Sequence, residues 1–93
     1  MTVGVLKIEL SLPGNDSLKA KRMVLKSLKD RIRKQFNVSI AEVGEQDKWQ
    51  KAVLGVASVG ADKRYVNGVL SKVIDLIEDA RSVDLIDYQM EFL

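Results

Sequence analysis

The chain has 93 residues, 46% of them hydrophobic and 30% charged, with a formal net charge of +2, a balance that fits one globular domain with a modest core. It contains no cysteine and no histidine. That excludes disulfides, thiolate nucleophiles, iron–sulfur clusters and cysteine zinc sites, and it removes the usual general base. No apolar run approaches the ~20 residues of a membrane span. The opening Met1-Thr2-Val3-Gly4-Val5 lacks the basic lead of a signal peptide, so the expected setting is the cytoplasm, away from membranes.

Val3 to Leu12 predicts a strand, because Leu6, Ile8, Leu10 and Leu12 alternate with Lys7, Glu9 and Ser11. Pro13-Gly14-Asn15-Asp16 is a turn, and Ser17 is a good N-cap. A helix follows, with Leu18, Leu25, Leu28, Ile32 and Phe36 at helical spacing, and Asn37 closes it. Val38 to Val43 predicts a short strand. Gly44 to Lys48 is a polar loop, with Trp49 after it. Ala52 to Val59, apolar on both faces with Gly55 inside, suits a central strand. Asp62 caps a second amphipathic helix marked by Val66, Val69, Leu70, Val73, Leu76, Ile77 and Ala80. Ile86, Tyr88, Met90 and Phe92 alternate with polar residues in a last strand.

The order β-α-β-β-α-β, with right-handed crossovers, predicts an α+β ferredoxin-like sandwich over residues 1–93. Four antiparallel strands in the order 4-1-3-2 carry both helices on one face. The expected core is Leu6, Ile8, Leu10, Leu25, Leu28, Ile32, Val69, Val73, Leu76, Ile86 and Tyr88. This topology brings the Pro13–Asp16 loop, the Gly44–Trp49 loop and the start of the first helix to one end of the sheet. The acidic last turn of the second helix, Asp75, Glu78 and Asp79, falls there too.

Charge is distributed unevenly. Residues 17–37 hold eight Lys or Arg against one acid, Asp30, whereas residues 38–93 hold six bases against ten acids. Lys19, Arg22, Lys26, Lys29 and Arg33 recur at steps of three and four, which stacks them along one side of the helix. The row is roughly 21 Å long at 1.5 Å per residue. It reads either as a ladder for the phosphates of a nucleic acid or as a solvated helix face. Lys21 falls near the apolar side, where its stem can lie against the core, a structural rather than a catalytic placing.

Other candidates are weaker. Asn15 and Ser17, with Gly14 and Lys19, bring a turn and a cap to a helix N-terminus that attracts anions, but they also describe an ordinary capped turn. No P-loop is present, since the Lys-Ser/Thr pair is missing. Trp49 is either a stacking or partner contact or a lid over the end of the sheet. Glu42, Glu45 and Asp47, like Asp75, Glu78 and Asp79, suit solvated segments better than a cation site. The two central strands carry no aromatic residue, which disfavours the stacking platform of RNA-recognition motifs. The open sheet face carries Val3, Val5 and an apolar set from the third strand beside Lys7 and Glu9, more often a partner surface.

The runs Val3-Gly4-Val5-Leu6, Ser17-Leu18-Lys19-Ala20-Lys21-Arg22, Phe36-Asn37-Val38-Ser39-Ile40-Ala41-Glu42-Val43 and Trp49-Gln50-Lys51-Ala52-Val53-Leu54-Gly55 resemble the YlxP-like family across the whole chain. These are small bacterial proteins of uncharacterised function. The resemblance implies a ferredoxin-like fold and no transferable catalytic residue. It also implies a gene setting among transcription elongation, translation initiation and ribosome maturation.

Together these observations lead to the expectation of a non-enzymatic RNA- or ribosome-associated protein, without cofactor or metal, acting through Lys19, Arg22, Lys26, Lys29 and Arg33. The alternative is an interaction or homodimerisation module that pairs through its open sheet face or its edge strands.

Overall fold

The computed structural model describes residues 1–93 as β1 (Thr2–Ser11), α1 (Leu18–Gln35), β2 (Ser39–Gly44), β3 (Lys51–Gly60), α2 (Lys63–Asp79) and β4 (Asp84–Phe92). The strands form one sheet in the order β2-β3-β1-β4, and every neighbouring pair is antiparallel. This is the ferredoxin-like arrangement expected from the element order.

Local chemistry sets the element boundaries. The Ser17 side chain accepts from the Ala20 amide at 3.0 Å, and the Asp62 side chain accepts from the Tyr65 amide at 2.9 Å. Each cap satisfies one of the free amides of a first helical turn. α1 stops one residue earlier than expected, with Phe36 as its C-cap, and Arg33 and Lys34 lie in the last turn where cations favour the helix dipole.

One face of the sheet is covered. Leu6, Ile8, Leu10, Leu54, Val56 and Ile40 point from the strands into a core closed by Leu25, Leu28 and Ile32 of α1 and Val66, Leu70, Val73 and Ile77 of α2. α2 packs over β1, β3 and β4, while α1 packs beside β2. α2 lies close against β1 at Gly4. A Cβ there would stand 2.5 Å from Val66 Cγ1 and 2.8 Å from Leu70 Cδ1.

Three expected core residues, Ile86, Tyr88 and Val69, are not in the core. Ile86 is 62% exposed and Tyr88 is 46% exposed. For Ile86 the reason is a register shift in the β1–β4 ladder at Glu9/Leu10. Leu10 pairs with Leu85 and Glu9 with Asp87, which leaves Ile86 as an extra residue in a bulge. Leu85 therefore takes the inward position at the start of β4. Tyr88 pairs with Ile8 but lies on an edge strand, and it stays half open to solvent. Val69 is also only half-buried, whereas Leu12, Leu70, Ile74 and Ile77 join the core.

Candidate nucleic-acid interface

The apolar side of α1 is defined by Lys21, Leu25, Leu28 and Ile32, all buried. Lys19, Arg22, Lys26, Lys29 and Arg33 occupy the adjoining flank, with only Lys29 drawn partly in. Arg33 shows where that flank lies. Its Nη2 donates to the Ile40 carbonyl of β2 at 2.9 Å. The row therefore borders the β2 edge of the sheet, away from α2. No ion pair joins it to Asp75, Glu78 or Asp79.

Neutralisation comes instead from within α1. Asp30 meets Lys26 at 3.0 Å and Arg33 at 3.5 Å. The Lys26 hydrogen bond, reinforced by the charges of Lys26, Arg33 and Lys34, holds the Asp30 carboxyl below its ordinary range against the opposing effect of desolvation. Lys19, Arg22 and Lys29 make no ion pair. These three are the uncompensated cations of the row, and Arg31 and Lys34 add charge on the outer side of the same helix.

Lys21 is different in kind. It is 1% exposed, and its ammonium donates to the carbonyls of Glu45 at 2.6 Å and Lys48 at 2.7 Å. Its nitrogen also lies 3.0 Å from Glu42 Oε2. That oxygen is buried and has no aligned hydrogen bond, so the contact is an ion pair rather than a directed bond. Lys21 thus belongs to the fold, tying α1 to the β2–β3 connection. Its position on the apolar side signalled burial, but the two loop carbonyls were not legible from spacing.

The remaining candidates separate. Asn15 Nδ2 donates to the Ser17 carbonyl at 2.9 Å and the Trp49 carbonyl at 2.7 Å, and Gln50 donates to the Asn15 carbonyl at 3.2 Å. The two loops meet at one end of the sheet, as the topology requires. The side chains of Asn15 and Ser17 are engaged within this joint, as a capped turn needs. Trp49 is 53% exposed, so it is not a lid. Its neighbours Lys48 and Lys51 line a shallow surface with it. Glu42 faces Lys21 and Glu45 faces Lys48 at 3.9 Å, and no group of three or more acidic side chains converges on a metal position.

The arrangement defines a small α+β sandwich with a basic helix flank beside an edge strand. Residues 3–90 match the family described as a protein of unknown function (DUF503), and the chain belongs to that family. It is also 34% identical over 82 residues to the uncharacterised protein YlxP of Bacillus subtilis (strain 168), a match that covers 88% of this chain and 89% of the relative. No helix is long and apolar enough to cross a membrane.

Proposed function

We propose that this chain is a non-enzymatic RNA-binding protein that holds phosphates along the exposed flank of α1. The observation that carries the reading is the row Lys19, Arg22 and Lys29, three cations without ion-pair partners on one side of α1. Lys26 and Arg33 extend it at either side of Asp30. Such a row offers charge at regular spacing along one flank, and the deep, narrow major groove of an RNA duplex keeps side chains from its base edges, so the row favours backbone contact over sequence recognition. The gene setting implied by the family resemblance supports RNA, and ribosomal RNA in particular, as the polyanion.

The test is direct binding of the full chain to a labelled structured RNA over a range of salt. At about 0.7–0.9 per phosphate, three to five contacts give a slope of log K against log salt between about −2 and −4.5. Arg22→Glu with Lys26→Glu should weaken binding and flatten the slope, while Lys72→Glu on the exposed side of α2 should change it little. Absence of binding at low salt, or equal loss from Lys72→Glu, overturns the reading. Duplex DNA of equal length serves as the competing arm, and a preference for it also overturns the reading.

A further inference from the structure

The face of the sheet opposite the helices has no covering layer. It presents Val43 from β2, Val53, Ala57 and Val59 from β3, and Val5 from β1, with Gly55 between them. Val43 is 57% exposed and Val59 54% exposed. A shallow groove of about 400 Å³ runs over Gly55 and Ala57 between Val43 on one side and Val5 with Lys7 on the other. The same face thus carries both an apolar ridge and an apolar trough.

Its polar part is unbalanced. Lys7 stands among Glu9, Asp87 and Glu91, and none of the four has an ion-pair partner. Glu9 and Asp87 are directly opposite in the β1–β4 register, a like-charge pair that costs stability. Three carboxylates against one ammonium repel a phosphate chain, so nucleic acid is a poor occupant of this face. The arrangement suits a partner that brings one cation into the acidic group and one acidic group onto Lys7. A second copy related by a two-fold axis sets each Lys7 against the other's carboxylates, and with six carboxylates to two ammoniums across the pair the apolar area drives the association while the lysines limit the repulsion.

Size and the edges point the same way. The strands contain 10, 6, 10 and 9 residues. At ~3.3 Å per residue and ~4.8 Å between strands, the face spans roughly 550 Å². Two such faces bury about 1,100 Å², above the ~1,000 Å² expected of a biological interface. Strand-to-strand pairing is hindered at both edges. On β2, Arg33 occupies the outward Ile40 carbonyl. β4 is bulged and carries Asp84, Asp87 and Glu91.

We infer that two copies of this chain pack open sheet face against open sheet face, Val43 of each lying toward the Gly55–Ala57 groove of the other and Lys7 of each toward the other's carboxylates. The two α1 helices then lie on opposite outer surfaces, both accessible. The inference does not depend on RNA binding, because it uses the other side of the molecule.

Sedimentation of the full chain from low to high micromolar concentration tests it. The expected result is a reversible monomer–dimer equilibrium that ends at two copies. Val43→Lys and Ala57→Lys should each weaken association at least about tenfold with an unchanged circular dichroism spectrum. Lys7→Gln, which removes the cation without adding a fourth carboxylate, should weaken it severalfold with an unchanged circular dichroism spectrum. Arg22→Glu with Lys26→Glu should leave it unchanged, which separates this result from the outcome for RNA. A wild-type chain that stays monomeric throughout overturns the inference. So does an association that survives Val43→Lys and Lys7→Gln, or one that proceeds to larger species.

Discussion

Lys21 and Glu42 meet at 3.0 Å beneath the β2–β3 connection, with the lysine 1% exposed and the Glu42 side chain 18% exposed. The ammonium is held more firmly by two carbonyls than by its counter-ion, since its directed bonds go to Glu45 and Lys48. Those carbonyls belong to a segment in which Glu45 has φ 57, a left-handed conformation uncommon for a residue with a side chain. Lys21 therefore fixes a strained turn from below.

Removing that ammonium should be costly. Lys21→Met keeps much of the stem volume but leaves a largely buried carboxylate and two carbonyls without their donor. We expect a loss of about 2–4 kcal/mol in denaturant unfolding, within the range for breaking a buried pair. Lys21→Met with Glu42→Leu should lose less than the two single changes together, because the unpaired charge is gone. Additive losses would show that the pair is not coupled.

Leu28 is the inward residue at the middle of α1, 2% exposed. Leu28→Ala should lower stability by about 2–5 kcal/mol as a buried truncation. An effect below about 1 kcal/mol in equilibrium unfolding would mean that α1 is not seated on the sheet as described.

Much of this architecture is legible in the amino-acid sequence because both helices have one clean apolar side and a good cap. Ser17 and Asp62 mark the starts, and Leu25, Leu28 and Ile32 mark the buried side. β4 was harder to read. Its alternation suggested Ile86 and Tyr88 as inward residues, but a bulge takes Ile86 out of the pattern, and Tyr88, although opposite Ile8, stays half open on the edge strand. A bulge depends on the partner strand, and nothing in the segment itself announces it. The basic row was legible as a row, but its partial neutralisation was not. Asp30 sits on a neighbouring side of the same helix and reaches both Lys26 and Arg33. The exposure of Trp49 was likewise open, because a loop's packing depends on what it meets across the sheet end.

Trp49 provides an internal reporter, since it is the only tryptophan in the chain. At 53% exposed it should emit as a solvated indole and be quenched readily by acrylamide. Trp49→Ala should change stability by less than about 1 kcal/mol, as for a surface position. A blue-shifted, protected emission would place it under cover, against this structure.

Asp30 lowers the charge of the row it sits in. Asp30→Asn should free Lys26 and Arg33 and tighten RNA binding, with a salt slope steeper by about one phosphate contact. The effect on stability has a definite sign. A carboxyl whose folded pKa is depressed contributes stability above its unfolded pKa and loses it as pH falls through the folded value. The wild-type advantage over Asp30→Asn should therefore be present at neutral pH and fade only in strongly acidic solution. Because Asp30 and both partners are substantially exposed, that advantage should be small and sensitive to salt. Weaker RNA binding by Asp30→Asn would argue that Asp30 positions the cations rather than diluting them.

Gly4 and Gly68 should respond in opposite directions to the same substitution. At Gly4 a methyl group meets the buried side chains of Val66 and Leu70 at 2.5 and 2.8 Å, closer than any relaxed contact. Both neighbours are 0% exposed, so neither has room to withdraw. Gly4→Ala should push α2 from the sheet and cost about 1–3 kcal/mol, the usual range for overpacking. At Gly68, inside α2, a methyl group meets nothing within 4 Å. Gly68→Ala should raise stability by about 0.5–1 kcal/mol through helix propensity and a less flexible unfolded chain. Thermal and denaturant unfolding of the two variants beside wild type checks both signs. If Gly4→Ala is neutral, the close packing of α2 on β1 is not rigid, and the seating of the second helix must be revised. If Gly68→Ala is destabilising, that side of α2 is occupied, and a partner surface there would have to be sought.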